Sequence, residues 1–484
     1  MKPPRNPASK HQTKSGNALS KHTTPNIVSY KKNAAASKHG HTVQYNDALF
    51  DFHLPGDAEK QLLEHFDQVI ASNYPLTSRQ QVQLLAHIRE LSHLLTDERA
   101  ERRKGYMNQT TTLSAYVHYY LWWNLVRLTR LFANLPASFF DIDTNAVCLD
   151  IGSGPLTVPL AMFIACPSLR AKKLTWYCLD ISAQALSMGE NIFLTVAAAL
   201  HATPWTIVRV KGNLGTTLKK KASFITAANI FNELEDILYQ PPDFLAKKYC
   251  SSMLAHLDGT SPATRVLVVE PGVPKGARLV SLLRDAFLRK GFIPCSPCPH
   301  AEQCPMDGKR GGKWCNYVFT TDDAPKKLKQ LSESAHLGKE RAVLSFVALE
   351  KNKAVPDYAP NGTQQQLLLP GKPSYNDIPH NESTESPAPS HTQRGHVQTS
   401  WRAHQDIAHP DTSLTARIAS DVIRLPGNRR GYYACSGRGL LLLVTDFHLA
   451  SGQRITITDV PSTTSIDAKS GATLIDIRNH SISE

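Results

Sequence analysis

The chain has little that would suit a membrane or a secreted protein. Its strongest apolar runs, LTVPLAMFIAC and LLLLV, are broken by proline or fall short of the roughly 20 residues that cross a bilayer. The first residues, MKPPRNPASKH, lack the apolar core of a secretory signal. Only nine cysteines occur in 484 residues. We therefore expect a reducing compartment, where clustered thiols favour metal binding over disulfides.

Carboxylates are absent from the first part of the chain. Residues 1–46 contain eight Lys and Arg and four His, and the first acid is Asp47, in a chain with a formal net charge of +13. Such a tail buries too little apolar surface to fold alone and is predicted to be disordered. The same charge suits an arm that contacts an RNA backbone. A mitochondrial presequence is disfavoured, because Lys outnumbers Arg and no amphipathic face is visible.

Composition divides the rest of the chain into four parts. Apolar residues recur every three or four positions in segments such as QVQLLAHIRELSHLL and LSAYVHYYLWWNLVRLTRLF, which predicts a helical region over 47–140. The aromatic residues of the second segment are interpreted as packing. An α/β domain that contains a cysteine-rich loop is predicted over 141–351. Seven prolines between 352 and 400 predict a flexible linker over 352–412, and apolar segments such as GLLLLVTDF predict a small β domain over 413–484.

Strand and helix signals alternate between 141 and 351. Short apolar runs end in polar or glycine residues at AVCLDIGSG, LTWYCLD, TIVRV, SFITAAN and RVLVVEPG. Amphipathic helical patterns follow several of these runs. The alternation predicts an α/β domain with a parallel sheet covered on both faces. The last strands, predicted at the edge of the sheet, are KWCNYVFTT and AVLSFVALEK.

A glycine turn follows the first of these strands. Asp150, Gly152 and Gly154 have the order of a strand that runs into a loop whose backbone can approach a ligand closely. Asp180 ends the next strand, where a carboxylate can accept hydrogen bonds from the ribose hydroxyls of a nucleoside. Asn229 follows the SFITAA strand. This order resembles the class I S-adenosylmethionine-dependent methyltransferases, which implies a Rossmann-like sheet and S-adenosyl-L-methionine as cofactor. A Rossmann-like domain that has lost its cofactor is the alternative.

Two polar residues after the SFITAA strand are candidates for the reaction. Asn232 and Glu233 lie in NIFNELED, at the carboxyl end of the sheet, where such folds place their chemistry. The pair can position an amine or hydroxyl acceptor by hydrogen bonds, or it can cap a following helix. No proton-relay triad is visible. Methyl transfer from a sulfonium needs mainly proximity and in-line alignment, so catalysis is not excluded.

Four of the nine cysteines lie in one loop. Residues 294–317 read PCSPCPHAEQCPMDGKRGGKWCNY and place Cys295, Cys298, Cys304 and Cys315 among prolines and glycines. Four thiolates can close a structural zinc site or hold an iron–sulfur cluster. Exposed free thiols at this density would be an oxidation hazard, so a metal site is preferred to unliganded cysteines.

Several motifs occur in a specific order along the chain. They are LDIGSGPL, FNEL, VVEPG, PCPH, CP, KWCNYVF and, beyond the predicted linker, RLPGNRRGYYACSGRG. Together they resemble the Rsm-type ribosomal small-subunit protein family, the mitochondrial methyltransferase-like assembly factors and their bacterial relatives. The resemblance covers roughly residues 110–350 and 415–460.

The resemblance implies a 4Fe–4S cluster and its ligands. The carried-over ligands are Cys298, Cys304, Cys315 and Cys435. Local spacing alone favours Cys295 in the set, whereas the family pattern makes it a spare neighbour. A cluster with these ligands would join the small β domain to the methyltransferase-like domain and link metal binding to folding. Zinc is the alternative metal.

The resemblance also implies a partner, the small ribosomal subunit and its rRNA. The chain is then either an rRNA methyltransferase or a non-catalytic RNA-binding assembly factor. A zinc-containing small-molecule methyltransferase is a third hypothesis, weakly disfavoured by the positive charge. One departure from the family is Leu156, which replaces a glycine and would crowd the cofactor if its side chain faced the crevice. We expect a monomer that binds no membrane, in a bacterial cytoplasm or, alternatively, the mitochondrial matrix.

Overall fold

A computed structural model describes most of the chain. It covers residues 42–51, 54–96, 105–234, 240–259, 261, 263–308, 312–352, 413–458, 460, 464–478 and 481–483. Most of the predicted tail, up to residue 41, and nearly all of the predicted linker, 353–412, lie outside these residues. Among the helices that are described, none combines the length and apolarity that crossing a bilayer requires.

The helices form two groups along the chain. The first group precedes the strands of the larger α/β domain, and the second group alternates with those strands. Their bounds are α1 Asp57–Glu64, α2 Phe66–Asn73, α3 Ser78–Thr96, α4 Thr110–Ala115, α5 Trp122–Ala133, α6 Thr157–Ala165, α7 Pro167–Arg170, α8 Ala183–Ala199, α9 Pro242–Leu254, α10 Pro274–Leu288 and α11 Lys326–Ser334. A π-helical segment, Tyr116–Leu121, joins α4 to α5. Short 3₁₀ helices occur at Tyr106–Asn108, Ala137–Phe140 and Phe231–Glu233.

The described strands form two separate sheets. Their bounds are β1 Thr42–Asp47, β2 Val147–Ile151, β3 Thr175–Asp180, β4 Thr206–Lys211, β5 Phe224–Ala228, β6 Arg265–Pro271, β7 Phe292–Ser296, β8 Tyr317–Thr320, β9 Arg341–Lys351, β10 Leu414–Ile418, β11 Ile423–Leu425, β12 Arg429–Ser436, β13 Gly439–Thr445, β14 Arg454–Ile457, β15 Ser465–Ile466, β16 Thr473–Asp476 and β17 Ser481–Ser483. Strands β2–β9 make the methyltransferase-like sheet. The C-terminal sheet contains β10–β17 and also β1.

The methyltransferase-like sheet has the strand order β4-β3-β2-β5-β6-β9-β7. Strands β2 to β6 are parallel, and β9 runs antiparallel to both β6 and β7. The order reverses at β2 and β5, and a crevice for ligands lies at such a switch point. Six strands of this order run in one direction, and the antiparallel strand β9 is inserted between β6 and β7, which is the topology of a class I methyltransferase. The predicted Rossmann-like fold class is confirmed.

The end of this sheet that β9 and β7 form differs from the prediction. AVLSFVALEK was expected at the edge, but β9 lies inside the sheet, between β6 on one side and β7 and β8 on the other. Its run of buried residues is what a strand covered on both faces requires. The edge strand β7 was not predicted at all, because FIPCS contains Pro294. Proline is tolerated in an edge strand, where its missing N–H costs no ladder hydrogen bond.

The C-terminal sheet takes its strands from both ends of the chain. Strand β1 pairs antiparallel with β14 and parallel with β17, and Val43 is fully buried there. The prediction of disorder over 1–46 is therefore wrong for residues 42–46. The sequence TVQYND has no strong apolar pattern, and its partner strands lie more than 400 residues away, so no local signal marks it as a strand.

Two tryptophans tie helices to one another. The indole of Trp122 donates to the carbonyl of Leu63 at 2.8 Å, and that of Trp123 donates to the hydroxyl of Ser332 at 3.0 Å. Buried indole N–H groups need such partners. The tryptophans thus tie α5 to α1 and to α11.

Candidate functional site

The glycine turn after β2 has the backbone that its sequence predicts. Gly152 has a φ of 68° and Gly154 a φ of 51°, both in the left-handed region that favours glycine. A Cβ on Gly152 would fall 2.6 Å from the side chain of Ile230, so this position has no room for one. A Cβ on Gly154 would meet nothing within 4 Å. The loop therefore presents open space to a ligand at Gly154 and packs against protein at Gly152.

Asp180 connects the tips of β2 and β3. One of its carboxylate oxygens accepts from the backbone N–H of Gly154 at 2.9 Å and the other accepts from that of Ser182 at 2.8 Å. Burial raises the pKa of Asp180, and the hydrogen bonds from these backbone N–H groups partly offset that effect. The carboxylate is thus held at the mouth of the glycine loop, where a bound nucleoside would need an acceptor.

Asp150 lies beneath the loop. It is 1% exposed, and its two oxygens each accept a hydrogen bond of 2.6 Å, from the hydroxyls of Ser153 and Thr226. Burial raises the pKa of Asp150 to about 7. This residue was predicted to bind cofactor together with Gly152, Gly154 and Asp180. The structure places its carboxylate against protein hydroxyls, so its contribution to a cofactor site is to hold the loop.

The raised pKa of Asp150 predicts how stability depends on pH. The folded protein holds a proton on this group up to about pH 7, whereas the unfolded group releases it near 3.8. The free energy of unfolding should therefore fall as pH rises through this window, by up to about 1.4 kcal/mol per pH unit. In Asp150→Asn, whose amide does not titrate, this decline should disappear. Chemical denaturation between pH 4 and pH 8 measures it, and an equal slope in both proteins would contradict the prediction.

Leu156 occupies a left-handed conformation, with a φ of 58° and a ψ of 39°, directly before α6. This is the position where the resembled family has glycine, and the backbone keeps the glycine geometry. The leucine side chain is fully buried in the core formed with α6. A side chain that faced an open crevice would be exposed to solvent. The side chain of Leu156 therefore does not face the crevice, and the crowding that its sequence position suggested does not arise.

The segment after β5 is held by backbone contacts to β6. Asn229, with a φ of 58°, donates its N–H to the carbonyl of Val269 at 2.8 Å. The N–H of Phe231 donates to the buried carboxylate of Glu270 at 2.9 Å. Glu233 accepts from the hydroxyl of Tyr106 at 3.2 Å. The side chain of Asn232 lies outside the described part of the structure, so its predicted role is a proposal.

Residues of the helical region complete this side of the crevice, and sequence reasoning missed them. Tyr116 is deeply set, and its pKa is raised first by burial and then by the nearby Glu233. Its hydroxyl accepts from the side-chain amide of Asn124 at 3.2 Å, and Arg127 in turn donates to Asn124. Tyr116 starts the π-helical segment, a distortion that is frequent at functional sites. The aromatic run had been interpreted as packing alone.

The structure brings four of the cysteines together. Cys298 and Cys304 lie in the loop after β7, Cys315 lies just before β8, and Cys435 lies on β12 of the C-terminal sheet. We call these four residues the thiol cluster. Burial raises the pKa of each of them, and three, Cys304, Cys315 and Cys435, are raised further by other members. The pKa of Cys435 is raised by each of the other three thiols of the cluster.

Cys295 belongs to a different environment. Burial raises its pKa to about 12, and the next contributions come from Glu350 and Arg265 rather than from another cysteine. It lies on β7, beside β9, whereas Cys298 lies beyond the end of that strand. The structure thus groups Cys435 rather than Cys295 with the other three thiols.

Cys435 reaches the loop because the two sheets touch there. Arg417, which is 3% exposed on β10, donates to the carbonyl of Pro297 at 2.9 Å. The ammonium of Lys313 lies 4.0 Å from the ring centre of Tyr433. The N–H of Val318 donates to the hydroxyl of Ser451 at 3.0 Å. These contacts hold β12 against the cysteine loop without any metal.

The thiol cluster fits a metal in its donor chemistry. All nine cysteines are free. The other three members of the thiol cluster lie close enough to Cys435 to raise the pKa of its thiol. A bound cation would have the opposite effect on the pKa, and four soft sulfur donors suit such a cation. No group of three or more His, Cys, Asp or Glu residues already has the geometry of a metal site within the described ranges. Ligation by these four residues is accordingly part of the proposal below.

The solved structures to which this chain is similar resemble it only distantly. No curated protein matches the chain. Among solved structures, a putative class I S-adenosylmethionine-dependent methyltransferase from Listeria monocytogenes is 13% identical, with 63% of this chain and 90% of that chain covered and a TM-score of 0.27. A putative RNA methyltransferase from Pyrococcus horikoshii is 12% identical, with 48% and 85% covered and a TM-score of 0.27. Because these similarities are so distant, the fold class rests on the strand order of the methyltransferase-like sheet.

The family comparison is more specific. Residues 144–361 match the family model described as mitochondrial small ribosomal subunit Rsm22. The matched segment contains the glycine loop, Asp180 and the cysteine loop, and Cys435 lies beyond it. The order of these features within one methyltransferase-like sheet is the order that the family resemblance predicts. Over residues 144–361, this chain is therefore similar to the Rsm22 family.

Proposed function

We propose that the chain is an S-adenosylmethionine-dependent methyltransferase-like protein that acts on or binds small-subunit rRNA and carries an iron–sulfur cluster. The observation that carries the cofactor part is the open face of Gly154 beside the fixed carboxylate of Asp180. Gly152, Gly154, Asp180 and Asn229 would hold the cofactor, with Asp150 supporting the loop. Bound S-adenosylmethionine supplies an electrophilic methyl group. The protein's own part is to bind it and to align an acceptor, for which Asn232 and Glu233 are the candidates.

The ribosomal part of the proposal is supported by the family and by charge. The family is described as a mitochondrial small ribosomal subunit protein, which favours that partner and, for location, the mitochondrial matrix over the bacterial cytoplasm. The chain has a formal net charge of +13, which suits a phosphate backbone. Lys219, Lys220 and Lys221 are exposed on the segment between β4 and β5. They offer a basic contact on the methyltransferase-like domain itself.

The metal part of the proposal is supported by the thiol cluster. Cys298, Cys304, Cys315 and Cys435 would each supply one thiolate, the ligand that iron–sulfur clusters require. Zinc has the same preference for four thiolates and is the competing metal. When bound, the cluster would supply a cross-link between the two sheets.

A second candidate function is a scaffold that binds the subunit without turnover. Glu233, the one of the two candidates whose side chain the structure describes, accepts a hydrogen bond from the hydroxyl of Tyr106 and lies beside Tyr116. A carboxylate fixed in this way can serve structure as readily as chemistry. The scaffold keeps the thiol cluster and the ribosomal partner but needs no methyl donor.

One set of measurements on the unmodified protein tests these proposals. Protein purified without oxygen is expected to be brown and to contain iron and sulfide, to bind S-adenosylmethionine in calorimetry, and to cross-link to small-subunit rRNA in cells. Colourless protein with stoichiometric zinc would contradict the cluster. Binding to rRNA without binding to S-adenosylmethionine would leave the scaffold, and the absence of rRNA cross-links would contradict the ribosomal role.

A further inference from the structure

We propose that a shell of polar side chains, which contact three of the four sulfurs of the thiol cluster, stabilises negative charge on the sulfurs and thereby raises the reduction potential of the cluster. This inference rests on the iron–sulfur part of the proposed function. The residues are Arg284, His300 and Tyr317. They act on the metal centre through its ligands and are positioning residues.

Arg284 supplies the donor for Cys298. Its Nε lies 3.2 Å from the Cys298 sulfur, and the side chain is 1% exposed on α10. The rest of the guanidinium is also held, because one nitrogen donates to the carbonyl of His300 at 2.7 Å and another pairs with Asp285 at 2.5 Å. A planar donor fixed at three points keeps its direction toward the sulfur.

His300 supplies the donor for Cys435. Its Nε2 lies 3.0 Å from the sulfur, and the contact joins the cysteine loop to the C-terminal sheet. A thiolate ligand only accepts, so Nε2 must carry the hydrogen in the loaded protein. This contact involves the one thiol that comes from the other sheet.

A tyrosine hydroxyl serves a third thiol. The hydroxyl of Tyr317 lies 3.1 Å from the Cys315 sulfur. The buried ring of Tyr317 contacts Phe50 and Phe346, with ring centres 6.1 and 5.6 Å away.

The spare cysteine lacks such a donor. At Cys295 the neighbouring side chain is the carboxylate of Glu350, which when ionised cannot donate to a thiolate. A donor at three of the clustered thiols and an acid at the spare one is the distribution expected if the clustered thiols become the ligands.

The direction of the effect follows from charge. One-electron reduction adds a negative charge to a cluster that four thiolates already make negative, and hydrogen bonds to sulfur stabilise the more negative state. Removing a donor should therefore lower the reduction potential. Cluster assembly itself needs only the sulfurs.

Potentiometric titration of the full chain, followed by electron paramagnetic resonance without oxygen, tests this. In Tyr317→Phe and His300→Leu, the ratio of reduced to oxidised cluster at a fixed solution potential should fall by about tenfold, equivalent to 59 mV for one electron. His300→Gln retains an N–H donor and should keep the original potential. Tyr249→Phe removes a buried hydroxyl from a core that contains none of the four clustered cysteines and is the matched control.

The outcomes separate the two proposals. Unmodified protein that holds zinc or no metal overturns the cluster and this inference together. Fully loaded variants with unchanged potentials overturn the inference alone. Should Tyr317→Phe fail to take up iron, the comparison of His300→Leu with His300→Gln decides it, because equal potentials in that pair would show that the donor has no effect.

Discussion

Replacing Cys435 with serine is expected to remove the iron–sulfur cluster from protein purified without oxygen. Cys435 is the one member of the thiol cluster that comes from the C-terminal sheet, and its sulfur lies 3.0 Å from His300 of the cysteine loop. A serine oxygen is a harder and weaker ligand for iron than a thiolate. Iron and sulfide per chain should fall to a small fraction of the unmodified value, and the visible colour should be lost.

Cys295→Ser is the matched control for this experiment. Cys295 lies three positions before Cys298, but the neighbours of its thiol are Glu350 and Arg265. The variant should keep its iron, sulfide and colour. The opposite pattern, in which Cys295→Ser loses iron and Cys435→Ser retains it, would show that local spacing and not the second sheet decides the ligand set.

The loss of the cluster should weaken the contact between the sheets without abolishing it. Three contacts there need no metal: Arg417 to the carbonyl of Pro297, Lys313 to the ring of Tyr433, and Val318 to Ser451. The cluster would add to them the free energy of metal–thiolate bonds, which couples metal binding to folding. Cys435→Ser should therefore still fold, and its loss of iron can be assigned to the missing ligand.

The fold was largely predictable because buried parallel strands leave a clear pattern. The runs at β2, β3, β5 and β6 are apolar on both faces and end at polar or glycine residues, which fixes both their type and their polarity. Strand β1 could not be predicted in this way. Its six residues owe their conformation to pairing with β14 and β17, and the sequence carries no signal for partners that are so distant.

The candidate site was predictable only where one residue type has one physical use. Gly154 and Asp180 belong to a backbone geometry that the sequence states almost directly. Tyr116 and Arg127 do not, because an aromatic or basic residue on an amphipathic helix looks the same whether it faces a core or a crevice. Leu156 is a position where the sequence suggested a problem that the structure does not show. A leucine in place of glycine suggested a blocked crevice, but only the structure shows its φ of 58° and its side chain buried in the core.

Asp180→Ala is expected to weaken the binding of S-adenosylmethionine by about tenfold to a hundredfold. A hydrogen bond to a charged group contributes about 1.5–3 kcal/mol, and tenfold in affinity is about 1.4 kcal/mol. The alanine also frees the N–H of Gly154, so that the loop is joined to β3 only by the hydrogen bonds from Gly152 and Ser153 to the carbonyl of Leu179. Isothermal calorimetry on folded protein measures the change.

Two further variants make the result specific. Asp180→Asn keeps one acceptor oxygen and should give an intermediate loss. Asp141→Ala removes a carboxylate that is 86% exposed and remote from the loop, and it should bind as the unmodified protein does. If Asp180→Ala bound with unchanged affinity, the cofactor would lie elsewhere, and the crevice at β2 and β5 would lose its assigned role.

The geometry at Asp180 also limits what it can do. A carboxylate has about four lone-pair sites, and the N–H groups of Gly154 and Ser182 use one on each oxygen. The remaining site on each oxygen can accept a ribose hydroxyl while both of these hydrogen bonds stay in place. Removal of one ribose hydroxyl from the ligand should therefore cost less than Asp180→Ala, and calorimetry with a deoxyribose analogue of the cofactor distinguishes a preformed acceptor from one that rearranges.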